Sequence, residues 1–229
     1  MRLWGKLSGW FPYLILGVCM MLSSCTSQET RPGVSVDTSD IHKIIVLPFQ
    51  DMTKSYGTDI NVRSPLTGLV MMTGYVPDTA APFLTSTLIS LLQTHQEFTI
   101  LSPDETWNEA VSHALSSSDS GEADLTPYIQ AGKQAGADAV FTGHIFRYID
   151  RKGNRLSVEH PASVAFDLHL IRVADGQMIW NGHFEETQKP LSENVLDLGM
   201  FIKRKGSWVT ADELAQGGLE DLLGRFLNP

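Results

Sequence analysis

The chain of 229 residues has 42% hydrophobic and 19% charged positions, a balance typical of a folded globular protein rather than a disordered one. Its formal net charge of −9 argues against a nucleic-acid-binding function, because an acidic surface repels phosphates.

The first 24 residues have the pattern of a signal peptide. Arg2 and Lys6 give a short cationic start, and residues 10–21 form an uncharged apolar run that is too short for a spanning helix, which needs about 20 apolar residues. The run ends in the letters LSSC at 22–25, which resemble the bacterial lipobox. This pattern predicts cleavage between Ser24 and Cys25 and lipidation of Cys25 with diacylglycerol, which the thiol takes, and with palmitate. The alternative is a plain secretory signal with an incidental cysteine.

Cleavage would remove 24 of 229 residues and leave 205, with a net charge of −11 because Arg2 and Lys6 are lost from a chain of net charge −9. Cys19 would leave with the signal, so the mature chain would hold no disulfide. Thr26, rather than Asp, follows the cysteine, which is typical of outer-membrane lipoproteins. We therefore expect a lipid-anchored protein on the periplasmic face of the outer membrane.

Residues 25–40 are then the acylated N-terminus and a flexible tether, and residues 41–229 are a single domain. The first half of that domain alternates strands with helices. We predict a central strand at 41–49, a long loop at 50–77, a helix at 78–95 capped by Asp78, a strand at 98–101, a helix from Ser102, and a helix from Asp124 to Gly136.

Three longer strands follow, at 137–149, 162–173 and 177–187. A three-residue loop at 174–176 places Gly176 where a positive φ is needed and pairs Val173 with Gln177. The same register pairs Leu170 with Trp180, Phe166 with Phe184, Asp167 with His183 and His169 with Asn181. Two helices are predicted beyond, at 195–205 and from a capping box formed by Thr210 and Glu213. The predicted fold class is α/β (α+β): a mixed sheet of about five strands flanked by helices, with a helical C-terminal part.

The common catalytic motifs are absent: there is no Walker loop, no GxGxxG, no GxSxG, no HExxH and no CxxC. The polar residues Asp167, His169, His183 and Glu185 share one sheet face and could bind zinc, or they could form a solvated or helix-covered face with an Asp–His pair. The second interpretation is favoured, so no metal, no cofactor and no enzymatic activity are predicted.

Two segments are candidates for contacts with other molecules. Loop 50–77 is unusually apolar: either it folds over the sheet as a hairpin or it presents a partner-binding surface. Its candidate residues are Tyr56, Ile60, Val62, Leu66, Val70, Met71, Met72 and Tyr75. A basic and aromatic patch, formed by Phe201, Lys203, Arg204, Lys205 and Trp208, could contact anionic lipid or an acidic partner, although a solvated helix C-terminus is the favoured interpretation.

Three separated stretches carry a family resemblance. They are IIVLPF at 44–49, AGADAVFTG at 135–143 and LIRVADGQMIW at 170–180. In this order they resemble bacterial lipoproteins with a fold like the N-terminal domain of TolB, a group that includes the curli secretion channel lipoprotein, the penicillin-binding-protein activator lipoproteins and several lipoproteins of unassigned role. The resemblance covers residues 41–187. It implies a mixed sheet flanked by helices, no catalysis, and function through protein contacts.

Two function classes follow from this resemblance. The first is an accessory or assembly lipoprotein that binds an envelope complex whose identity the sequence does not give, with homo-oligomers allowed. The second is an oligomeric secretion-channel subunit. A channel subunit needs lipid-facing strands of about 9–11 residues, and only 56–76 approaches that pattern, with Arg63 near its tip. The accessory function is therefore preferred, and a metal-dependent enzyme is a distant third.

Overall fold

The computed structural model describes residues 38–95, 97–101, 124–153, 158–188 and 208–227. Several predictions from the sequence lie outside these residues. They are the signal peptide with Ser24 and Cys25, the helix from Ser102, the helix at 195–205, and four members of the basic and aromatic patch (Phe201, Lys203, Arg204 and Lys205).

The described chain contains ten strands and four helices. The strands are β1 (Lys43–Val46), β2 (Gln50–Asp51), β3 (Asn61–Arg63), β4 (Val70–Met72), β5 (Thr99–Leu101), β6 (Ala139–Ile149), β7 (Lys152–Gly153), β8 (Val158–His160), β9 (Ser163–Arg172) and β10 (Met178–Thr187). The helices are α1 (Thr53–Tyr56), α2 (Ala80–Gln93), α3 (Thr126–Ala135) and α4 (Ala211–Leu227).

The main sheet has the order β10-β9-β6-β1-β5, and β2 pairs with β6 beyond the end of β1. The strands β6, β9 and β10 are antiparallel neighbours, whereas β5, β1 and β2 run parallel to the strands that they pair with. The pairs β3–β4 and β7–β8 form two small separate hairpins. The predicted mixed α/β sheet with a C-terminal helix is therefore confirmed, and β1 is central as expected.

Alternation along the strands gives the sheet two different faces. One face carries the larger core, in which Phe141, Phe166 and Leu170 pack with residues of α2 and α4. On the other face, α3 covers Val140 and Ile171 at one end. The β3–β4 hairpin covers Phe146 and Ala165 at the other end. The second face is thus covered by two separate elements.

The register predicted for β9 and β10 is confirmed from Trp180 onward: Leu170 pairs with Trp180, Phe166 with Phe184 and Asp167 with His183. The predicted three-residue loop is wrong. The amide of Arg172 donates to the carbonyl of Gln177, so the connection holds four residues, 173–176. A bulge at Ile179 then restores the predicted register. Gly176 has a φ of +70°, as the turn requires.

The helix ends show which side chains act as caps. Thr210 and Glu213 form the predicted capping box, with reciprocal hydrogen bonds of 2.9 and 3.2 Å to each other's backbone amides. Asp124 accepts a hydrogen bond from the Thr126 amide at 2.9 Å, and α3 ends at Gly136 in the left-handed conformation. The prediction that Asp78 caps α2 is wrong: Thr79 occupies that position without a side-chain bond, and Asp78 pairs instead with Lys54.

Candidate functional site

Loop 50–77 folds as a hairpin over the sheet, and part of it is exposed; that this part binds a partner stays a prediction. In the β3–β4 pair, Val62 lies opposite Met71, and both side chains point inward against Phe146 and Ala165. Leu66, at the turn, packs with the α3 side of the core. Buried side chains do not contact a partner, so the candidate set from the sequence is wrong for Val62, Leu66 and Met71.

The outward side of this segment holds every exposed large hydrophobic residue of the described chain. We call these six residues the hairpin surface: Tyr56, Ile60, Leu69, Val70, Met72 and Tyr75. Tyr75 is the most open of them, at 64% exposure. Five of the six were predicted from the sequence, and Leu69 is added by the structure. A concentration of this kind on one element is typical of an interaction surface.

Arg147 fastens the hairpin to the sheet. From β6 its Nη1 donates to the carbonyl of Met72 at 2.9 Å, its Nε donates to Oγ of Ser163 at 2.7 Å, and its Nη2 donates to Glu185 at 3.0 Å. The chain beyond β4 lies close beside this arginine, because a Cβ added at Gly74 would be 2.7 Å from its Cγ. The hairpin surface is therefore held on a fixed support.

A buried polar cluster lies on the same face of the sheet, between the regions covered by α3 and by the hairpin. We call His144, Asp167 and His169 the polar cluster, and each residue is at most 1% exposed. The register places His144 of β6 directly opposite Asp167 of β9, with His169 two residues further along β9. Oδ1 of Asp167 lies 2.7 Å from Nδ1 of His144 and 3.0 Å from Nε2 of His169.

Several side-chain nitrogen and oxygen atoms of the polar cluster have no hydrogen-bond partner. Oδ1 of Asp167 also accepts the backbone amide of His144 at 2.9 Å. Nε2 of His144, Oδ2 of Asp167 and both ring nitrogens of His169 have no hydrogen-bond partner, since the close approach of His169 to Asp167 lacks hydrogen-bond geometry. Burial raises the pKa of the Asp167 carboxyl, but the His144 and His169 imidazoles outweigh burial and hold that pKa well below its usual range.

A cavity of about 370 Å³ connects this cluster with the surface. Asp167, His169 and His183 line its sheet side, and the hairpin turn contributes Thr67, Gly68 and Leu69. The structure places the four residues of the predicted polar face in different environments. Asp167 and His169 are buried, His183 is exposed and lines the cavity, and Glu185 pairs with Arg147.

His144 is the residue that sequence reasoning missed. The sequence signal for this residue was a histidine within the otherwise apolar strand AVFTGHIF. This histidine pairs with Asp167 once β6 and β9 are aligned. Trp208, the described member of the basic and aromatic patch, is partly buried before α4.

The sequence was compared with protein families and curated proteins. The model of the family "Peptidoglycan-synthase activator LpoB" matches residues 79–185, just under half of the chain. This match spans two of the three stretches that carried the resemblance, at 135–143 and 170–180, and it confirms the similarity to activator lipoproteins. The family is described as an activator rather than an enzyme. The comparison with curated proteins found no match.

Several solved structures are similar to this chain. The PelC dodecamer from Paraburkholderia phytofirmans is 11% identical, with a TM-score of 0.43 and coverage of 80% of this chain and 87% of that chain. The LpoB C-terminal domain from Escherichia coli is 17% identical, with a TM-score of 0.37 and coverage of 76% and 94%. Lipoprotein GNA1162 from Neisseria meningitidis is 15% identical, with a TM-score of 0.39 and coverage of 71% and 91%.

Among the described helices, none combines the length and the apolar character that crossing a membrane requires.

Proposed function

We propose that this protein is an accessory lipoprotein of an envelope complex, anchored through acylated Cys25 on the periplasmic face of the outer membrane, and that it binds its protein partner through the hairpin surface. The observation that carries the proposal is that all six exposed large hydrophobics of the described residues fall within one segment, 56–75, which contains the β3–β4 hairpin. The family match supports the class of partner, because its printed description names a peptidoglycan synthase as the protein that is activated.

The chemistry of the hairpin surface favours a folded protein as partner. Between Tyr56 and Tyr75 the charged residues are Asp59 and Arg63, whose charges cancel. An electroneutral apolar surface with two tyrosines and a methionine gains binding free energy by desolvation and has little attraction for anionic headgroups or polymers. We infer that the partner presents an apolar groove that receives Tyr75 and its neighbours Val70 and Met72.

Because the hairpin is already held on the sheet, binding of a partner should cost little conformational entropy. Val62 and Met71 fix its inner side in the core, and Arg147 holds the Met72 carbonyl. A surface that is already ordered loses little conformational freedom on association. The hairpin that carries the contact residues is therefore ordered before the partner binds.

A photocrosslinking experiment tests this proposal. The full chain, with a photoreactive amino acid at Tyr75 or Val70, is irradiated in cells, and the crosslinked proteins are identified. We expect a peptidoglycan synthase at both positions and none at the matched control position Glu220, which is exposed on α4. Crosslinks to lipid alone, or equal crosslinking from Glu220, would contradict the proposal.

A binding measurement with the captured partner gives the contribution of the hairpin surface to affinity. The triple variant Val70→Ser, Met72→Ser, Tyr75→Ser should weaken binding by roughly 30-fold or more, since central aromatic contacts commonly contribute 2 kcal/mol or more. The urea midpoint of unfolding should stay within error because all three side chains are exposed. The control Glu220→Gln, which keeps a side-chain carbonyl oxygen for the hydrogen bond from Gln216, should leave binding unchanged.

A ring-forming secretion-channel subunit is the second candidate function, and one observation favours it. Within the described residues, β9 is the strand that pairs with β10, so β10 lies at one edge of the main sheet. Edge strands can serve as templates for pairing with another chain. Light scattering of the detergent-solubilised full chain, with conductance in planar bilayers, distinguishes the two. A monomer or small oligomer without conductance fits the accessory function, and a ring with stepwise openings fits the channel.

A further inference from the structure

The polar cluster is a buried set of metal-ligand side chains that the proposed function leaves unused. Each of His144, Asp167 and His169 offers one ligand atom, and these three atoms lie within 4.8 Å of one another. We propose that these residues bind one divalent transition-metal ion, with Zn²⁺ as the best fit, and that the fourth coordination position opens toward the cavity lined by Thr67, Gly68 and His183.

The first argument is the cost of leaving the cluster as it stands. Four nitrogen and oxygen atoms of these side chains have no hydrogen-bond partner although they are buried. An unpaired buried polar atom costs about 1–3 kcal/mol, and more when it is charged. Of these four atoms, Nε2 of His169 is one of the three proposed ligand atoms, so a metal ion would convert its free lone pair into a coordinate bond, and the ion would also compensate the negative charge of Asp167.

The second argument is distance. Nδ1 of His144 and Nε2 of His169 lie 2.7 and 3.0 Å from Oδ1 of Asp167. Zinc–ligand bonds of about 2.0–2.2 Å place tetrahedral ligand atoms roughly 3.3 Å apart, so each nitrogen must move a few tenths of an ångström away from Oδ1, and the two nitrogens, which lie within 4.8 Å of one another, must take up the same spacing. The β6–β9 pairing already fixes the backbones of all three residues.

The third argument concerns the identity of the metal. Two imidazoles and one carboxylate suit both zinc and ferrous iron. Six-coordinate iron needs three further positions, whereas each residue of the cluster is at most 1% exposed and the cavity is lined by Asp167 and His169. So little exposure favours a four-coordinate site with three protein ligands and one water, which is the arrangement that zinc prefers.

Metal analysis of the full chain, purified in detergent with a tag that contains no histidine, tests the site. After treatment with chelator and addition of Zn²⁺, we expect about one zinc per chain. The variants His144→Gln, Asp167→Asn and His169→Gln should each weaken zinc binding at least tenfold. His160→Gln, which changes an exposed histidine on β8, is the matched control and should bind as the unchanged chain does.

A second measurement on the unchanged chain does not depend on how the variants fold. Zn²⁺ should raise its melting temperature and chelator should reverse the rise, and bound Co²⁺ should give the intense visible bands of tetrahedral coordination. Absence of zinc above the level of the buffer would overturn the proposal, as would zinc binding that all three variants retain. Octahedral Co²⁺ spectra would also overturn the four-coordinate site. None of these outcomes depends on whether the hairpin surface binds a partner.

Discussion

The hydroxyl of Tyr148 donates a hydrogen bond of 2.5 Å to Oδ1 of Asp212, which joins the end of β6 to the first turn of α4. Asp150 makes a second link nearby, because its Oδ1 accepts the amide of Ala211 at 2.9 Å. The start of the C-terminal helix is therefore attached to the sheet by two carboxylate hydrogen bonds.

This attachment predicts a loss of stability at alkaline pH. Burial, and then the hydrogen bond to Asp212 and its charge, raise the pKa of Tyr148 above its ordinary value. The unfolded chain ionises this tyrosine near pH 10 and the folded chain does not, so the contribution is complete below about pH 10 and is lost as pH rises further. Urea unfolding between pH 8 and pH 11 should show a decline of at most about 1.4 kcal/mol per pH unit from this group. Tyr148→Phe should remove that part of the decline; an unchanged slope in the variant would contradict the assignment.

Two adjacent glycines of α4 should respond to alanine in opposite directions. A Cβ at Gly218 would lie 2.7 Å from ring atoms of Phe184, whereas a Cβ at Gly217 meets nothing within 4 Å. Gly217→Ala should stabilise the protein by about 0.5–1 kcal/mol through helix propensity. Gly218→Ala has the same propensity gain but should destabilise by about 1–3 kcal/mol through overpacking. Urea unfolding of both variants checks this, and equal signs would show that the close packing of α4 on β10 is wrong.

Removal of the Arg147 side chain should loosen the hairpin. Arg147→Met loses the bonds to Met72, Ser163 and Glu185, and we expect a destabilisation of about 1.5–3 kcal/mol. Amide hydrogen exchange should rise most in residues 70–75. Glu185→Gln is the control, because it weakens only the exposed ion pair and should cost less than about 1 kcal/mol. Equal effects of the two substitutions would mean that the bonds to the Met72 carbonyl and to Ser163 together contribute nothing.

The lipid anchor is tested by two cysteine variants. Cys25→Ser should move the protein from the membrane fraction to the soluble periplasmic fraction, because serine has no thiol to acylate. Cys19→Ser should leave it in the membrane, since that residue is expected to leave with the signal peptide. Fractionation with metabolic labelling by palmitate measures both. If the Cys25→Ser protein still sediments with membranes, the lipobox interpretation fails.

Much of the sheet was predictable because apolar and polar residues alternate strongly along its longer strands. The pairing of Phe166 with Phe184 followed from the demand that apolar residues share a face, and one slipped residue would have mixed apolar with polar side chains. The turn itself was not predictable to the residue. A bulge at Ile179 compensates a longer loop, so the strands keep their register while the turn changes.

The hairpin within loop 50–77 was harder to predict from sequence, because its strands have three residues each. Over so short a distance, alternation does not separate inward from outward positions, and buried Val62 and Met71 therefore stood beside exposed Val70 and Met72 in one list. The polar cluster was not predicted from the sequence for another reason. It joins His144 to Asp167 across 23 residues of chain, and only the β6–β9 register brings them together.

The place of β1 in the sheet has a mechanical consequence. The chain enters the described fold just before this strand, which lies between β5 and β6 rather than at an edge. Asp138 adds two bonds at its start, to the amides of His42 and Lys43. With Cys25 as the proposed anchor, tension between the membrane and a bound partner reaches the domain through β1. A pull along β1 would load its pairings with β5 and with β6 at the same time, whereas a pull on an edge strand would load one, so the central position of β1 favours resistance to force where the tether joins the domain.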